Sequence, residues 1–124
     1  MANYFIIGLG GFLGAVCRYI VALWIGQRWG RTFPLGTFVV NISGSFFIGL
    51  LMSLLTEKFM VNPQVRLFLV IGFLGAYTTF STFEYETGNL VKDGEGLMAL
   101  ANVILSVTAG FVALKLGELI AKSI

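Results

Sequence analysis

The chain has 124 residues, of which 57% are hydrophobic and 11% charged. That content is too apolar for a soluble domain of this length, and a formal net charge of +2 gives no case for a nucleic-acid partner. The absence of His excludes His-based catalysis and His metal ligation, and the single Cys17 cannot form an internal disulfide.

The amino terminus, MANYFIIGLGGFLG, carries no Lys or Arg before its apolar run. The run continues past Arg18 to spanning length, so a cleaved signal peptide is not expected. Four apolar segments follow one another, at about Ala2–Gly26, Pro34–Thr56, Val65–Leu90 and Leu97–Ile120. Each is near or above the ~20 residues that cross a bilayer, which makes this an all-α integral membrane protein with four transmembrane helices. The connectors Gln27–Phe33, Glu57–Asn62 and Val91–Gly96 are short. Sequential helices are therefore expected to be antiparallel neighbours within a single four-helix domain spanning 1–124.

The first segment presents Gly8, Gly10, Gly11, Gly14 and Ala15, a small-residue face that lets another helix backbone come close. Cys17 reads as a small buried residue. Arg18 is costly inside an apolar segment unless it snorkels, pairs or faces water, which leaves a pore vestibule and a structural pair with a carboxylate both open. In the second segment Thr37, Asn41 and Ser45 follow at i, i+4, i+8, one polar stripe with Gly44 beside it. An isolated Asn in a membrane is often glue between helices; three aligned polar groups point to a polar pathway.

The third segment contains GFLGAYTTFSTF, Gly72 to Phe83. Hydroxyl-bearing, partly β-branched residues just after Gly75 weaken helix propensity where lipid demands full backbone pairing. The expectation is a helix broken near its middle and buried in protein, where freed carbonyls can hold cations and freed N–H groups and hydroxyls can meet anions. An unbroken helix with back-bonded Thr is the alternative. Phe80 and Phe83 lie three apart with Ser81 and Thr82 between them, so both rings project from nearly one side if the helix resumes. Their positive edges could meet a small anion. Periodicity alone favours core packing for the pair. The fourth segment carries Asn102 and Ser106 at i, i+4, continued by Gly110 and Gly117.

All six carboxylates lie at or toward segment ends, Glu84 and Glu86 coming closest to the middle of a segment. A Ser or Thr hydrolase with a Lys base would need a buried Lys near residue 80, and none accompanies the hydroxyls there. Lys58, Arg66 and Lys122, with Lys115 nearby, stand on one side; Arg28, Arg31 and Lys92, with Arg18 toward them, stand on the other. The tallies nearly cancel, so the chain has no firm preferred orientation and insertion in both directions is expected. Four short helices offer little room for a private pore. An inverted pair supplies a two-fold axis in the membrane plane, hence an antiparallel, dual-topology homodimer.

GFLGAYTTFSTF, together with Asn41 in FVVNISGSF and the opening GGFLGAVCRY, resembles the small fluoride channels of the Fluc family, also called CrcB, over nearly the whole chain. The resemblance implies a dual-topology homodimer with two narrow fluoride pores, passive export of cytoplasmic fluoride and no enzymatic activity. Phe80 and Phe83 match the pore phenylalanines, Asn41 the pore asparagine, and Ser81 and Thr82 the hydroxyls between the rings; Thr37 and Ser106 join them as pore candidates. Arg18 matches the first-helix GxxxR pattern and Glu86 the acid shortly after the second Phe, both as vestibule residues. A structural sodium ion (Na+) at the dimer axis is implied through main-chain carbonyls, by position those of Gly75 and Thr78. Asn102 departs from the Tyr of some members. A small dual-topology exporter of hydrophobic cations is the runner-up, but it would need a buried acid in the first helix, and this chain has none there. A membrane assembly subunit without transport activity is a third reading.

Overall fold

The computed structural model describes residues 1–29 and 32–124, and their regular structure is helical. Arg31, counted above among the loop charges, lies outside the described residues. Helix α1 runs Ala2–Arg28 and α2 Leu35–Met52, the latter continuing through π-helical turns at Ser53–Lys58. Short α3, Pro63–Arg66, passes through π-helical Leu67–Leu74 into α4, Gly75–Tyr77. Helix α5, Ser81–Lys92, and α6, Gly96–Ser123, complete the chain. Among the described residues, four stretches are long and apolar enough to cross a membrane: Ala2–Arg28, Leu35–Lys58, Pro63–Lys92 and Gly96–Ser123.

The ends of these spans follow local chemistry. Pro63 occupies the first turn of α3, where its missing N–H is no loss, and Asn62 Oδ1 accepts from the Gln64 amide at 2.9 Å. Between α5 and α6 the chain turns at Gly94, whose φ of +81° is a region closed to most side chains.

Consecutive spans run antiparallel, yet the closest packing joins alternate spans. A Cβ at Gly10 would strike the Phe68 carbonyl and one at Gly14 the Phe73 carbonyl, while Arg18 reaches the Ala76 carbonyl at 2.9 Å. Both sequences of residues ascend together, so the first and third spans are parallel and in backbone contact. The second and fourth spans repeat this arrangement, with Gly110 beside Ile42 and Ser45, Gly49 against the Leu114 backbone and Gly117 against the Leu50 amide. Lipid gives helices no hydrophobic drive to associate, so close backbone approach at small residues decides which faces meet. Short connectors dictate direction; the glycine faces dictate partners.

Val40, Leu74 and Tyr77 form the buried core, with Cys17, Ala22 and Phe73 packed on it. The Tyr77 ring stacks on Phe73 with centroids 6.0 Å apart, and its hydroxyl is 2.9 Å from Ser43 Oγ. Phe5, Phe12, Val107 and Phe111 stand on the outside, as an apolar solvent allows.

Candidate functional site

Gly75 itself is helical, with φ −61° and ψ −35°. The backbone departs three residues later, where Thr78 is extended at φ −85°, ψ 156°, and α5 begins at Ser81. Thr78 turns back on the preceding turn, its amide and its hydroxyl each donating to the Leu74 carbonyl at 3.1 Å. Gly44 makes room on α2, since a Cβ there would strike the Thr78 methyl.

Asn41 takes over the backbone pairing at the next residue. The Thr79 amide donates to Asn41 Oδ1 at 2.8 Å, and Asn41 Nδ2 donates to the Thr79 carbonyl at 3.0 Å. In a continuous helix that Thr79 amide would close on the Gly75 carbonyl. Likewise the Thr82 amide, which would close on the Thr78 carbonyl, goes to Thr79 Oγ1 at 3.2 Å. The Gly75 and Thr78 carbonyls are thereby released from α-helical pairing. The Ala76 carbonyl is met instead by Arg18 Nε at 2.9 Å. Of the two roles open to Arg18, pairing with a carboxylate is not what the structure records; the guanidinium satisfies backbone.

Beside Thr78 and Thr79 lies a cavity of about 270 Å³ between α2, α5 and α6, lined among others by Asn41, Ser45, Thr79, Phe80, Phe83 and Ser106. Among the described residues its lining is uncharged. Asn41 spends one amide proton on Thr79 and has a second for the cavity; Thr79 Oγ1 accepts from Thr82 and keeps its own proton. The two rings lie 5.9 Å apart at an interplanar angle of 47°. Phe83 is 7% exposed and Phe80 74% exposed, so one ring is packed by this chain and the other is left open.

Asn102 is 1% exposed and is not part of the lining described for this cavity. It donates through Nδ2 to Thr87 Oγ1 at 2.9 Å and accepts through Oδ1 from Ser106 Oγ at 3.2 Å, while Thr87 Oγ1 donates to the Phe83 carbonyl at 2.7 Å.

A second cavity, about 340 Å³, opens at the end of the molecule where α2 begins and α5 finishes. Thr37, Glu86, Asn89 and Asp93 line it. Thr37 is one turn from Asn41 and Glu86 one turn from Phe83, so the two cavities follow one another along α2 and α5 at a spacing of about 6 Å.

The residues singled out from sequence thus divide. Asn41, Phe80, Phe83 and Ser106 share the first cavity, with Thr78 at its edge; Thr37 and Glu86 belong to the second. Ser81 is exposed on the first turn of α5, and Thr82 is engaged there through its amide. Sequence reasoning passed over Thr79, which works mainly through backbone atoms that no pattern reveals. Thr87 was also missed, although its place four residues after Phe83 was available as a signal. Asn89 and Asp93 could have been found from their i+3 and i+7 spacing to Glu86.

Residues 5–118 match the family described as CrcB-like protein, Camphor Resistance (CrcB). A protein of Solibacter usitatus (strain Ellin6076) named Fluoride-specific ion channel FluC is 51% identical over 120 residues, covering 97% of this chain and 98% of the relative. One of the same name from Geotalea uraniireducens (strain Rf4) is 48% identical over 124 residues, covering all of both chains. Another, from Chlorobaculum tepidum, is 46% identical over 122 residues, 98% of this chain and 96% of the relative.

Proposed function

The chain belongs to the CrcB/FluC family of ion channels, not to an enzyme family, and from that premise we propose that it conducts fluoride passively and selectively out of the cytoplasm. It is a multi-pass protein of the bacterial cell membrane. The observation that carries the reading is the uncharged cavity at Asn41, Phe80, Phe83 and Ser106. Fluoride is strongly hydrated, and a pore that takes it must replace water with donors. Here an Asn41 amide proton, the hydroxyls of Ser45, Thr79 and Ser106, and the positive edges of the phenylalanines supply them. Thr37 and Glu86, with Arg18 deeper on the same side, form the vestibule side of the path, and Ser81 and Thr82 are the hydroxyls of its opposite approach. Fluoride that enters as the neutral acid and dissociates inside leaves down its electrochemical gradient, without ATP or a redox cofactor.

Export in the cell is tested by expression in a fluoride-sensitive bacterial strain. Growth on fluoride should be restored; inserted protein that restores none contradicts the proposal.

The working unit in this proposal is an antiparallel homodimer. One chain leaves the cavity unwalled on a side, the Phe80 ring 74% exposed and the backbone at Gly75 open, each of which a second copy would complete. Opposite insertion of the two copies accords with the balanced Lys and Arg. Cysteines engineered into one loop should be labelled from both faces of the membrane; labelling from a single face contradicts dual topology.

Sodium suits the third span. The Gly75 and Thr78 carbonyls are hard oxygen donors freed when Asn41 and Thr79 take the Thr79 and Thr82 amides. One chain offers two such oxygens, and a two-fold-related copy doubles them. Bound there, the ion supplies a fixed positive charge that ties the two chains together. Replacing sodium by a bulky organic cation should shorten the lifetime of the dimer; an unchanged lifetime contradicts the assignment.

A further inference from the structure

The hydrogen-bond chain from Ser106 to Phe83 has a fixed direction, which follows from its one unambiguous acceptor. The Phe83 carbonyl can only accept, so Thr87 Oγ1 donates to it, at 2.7 Å. Thr87 has a single hydroxyl proton, and toward Asn102 its oxygen therefore accepts. The atom facing it at 2.9 Å is then the Asn102 amide nitrogen. Asn102 Oδ1 is left toward Ser106, and the Ser106 hydroxyl must donate to it, at 3.2 Å. Ser106 thus turns a lone pair, not a proton, to the cavity it lines.

We infer that Asn102 and Thr87 are positioning residues that hold the Ser106 proton away from the cavity when no anion is there, making Ser106 a two-position donor. This rests on the cavity being the anion path. An arriving fluoride takes the Ser106 proton as a hydrogen bond by rotation of the hydroxyl. That breaks the longest link of the chain and leaves Asn102 Oδ1 unpaired in a residue 1% exposed. An orphaned buried acceptor opposes the bound state. It therefore shortens the stay of the anion, and conduction needs a site weak enough to leave. Asn102 acts on fluoride through Ser106 and not by contact.

The experiment is fluoride efflux from liposomes as a function of fluoride concentration, read as the half-saturating concentration and the maximal rate. Asn102→Leu removes the acceptor at similar volume and should lower the half-saturating concentration about tenfold. Thr87→Val lets the Asn102 amide turn its nitrogen to Ser106 and should shift it in the same direction. Thr87→Ser keeps the hydroxyl and should return the wild-type value. In a Ser106→Ala background Asn102→Leu should no longer shift it. Unshifted half-saturation in Thr87→Val and in every Asn102→Leu preparation that folds, or a shift that survives Ser106→Ala, overturns the inference while leaving the channel reading intact. Wild-type protein that carries no fluoride overturns the channel reading and this inference with it.

Discussion

Replacing Asn41 with Leu keeps the volume of the side chain and removes both of its bonds to Thr79, the 2.8 Å bond from the Thr79 amide and the 3.0 Å bond to the Thr79 carbonyl. Two backbone groups lose their partners where the segment crosses the membrane. Each orphaned group costs about 1–3 kcal/mol, so the pair sums to about 2–6 kcal/mol. Asn41 lines the cavity beside Thr79, and water reaching Thr79 through it moves the loss to about 2–3 kcal/mol. The assay is reversible unfolding in mixed micelles titrated with a denaturing detergent, with hydrogen exchange at the Thr79 amide as a local readout. Protection of that amide should fall about 30- to 150-fold, the same free energy at 1.4 kcal/mol per tenfold. A loss below about 0.5 kcal/mol together with unchanged exchange at Thr79 would refute the claim that Asn41 supports this stretch of backbone.

Two further outcomes follow from the packing. Gly14→Ala drives a methyl into the Phe73 carbonyl and should destabilise by about 1–3 kcal/mol, whereas Gly8→Ala meets open space and should gain about 0.5–1 kcal/mol from helix propensity. Equal effects in the same detergent titration would contradict the parallel contact of the first and third spans. Arg18→Leu takes the charged donor from the Ala76 carbonyl and should cost about 1.5–3 kcal/mol; unchanged unfolding would show that this carbonyl needs no protein partner.

The four spans were legible in the sequence because bilayer thickness sets a length that uninterrupted apolar runs display directly. The stripe of Thr37, Asn41 and Ser45 was legible for a similar reason, since helical periodicity puts those positions on one face. What each member of the stripe faces was not. Thr37 meets Glu86 and Asn89 at the outer cavity, while Asn41 meets Thr79 and the phenylalanines, because α5 carries its carboxylate and its aromatic ring one turn apart. The pairing of alternate spans was hidden by the short connectors, which speak for direction and say nothing about the glycine faces that select neighbours. Arg18 illustrates a third limit: a charged side chain in a membrane suggests a charged partner, but a carbonyl short of a donor serves as well, and backbone shortfalls leave no mark on residue type. Asn102 and Ser106 share a helix face by spacing. Spacing does not show that Thr87 on the neighbouring helix takes the Asn102 amide while Ser106 lines the cavity.

Fluoride and chloride efflux measured on the same liposomes, with wild-type protein beside Phe83→Ala, tests the central claim most directly. The account predicts that wild type releases fluoride and retains chloride, and that folded Phe83→Ala, which strips a wall from the cavity, conducts fluoride severalfold more slowly. Chloride leaving together with fluoride through wild type, or neither ion leaving, would contradict it.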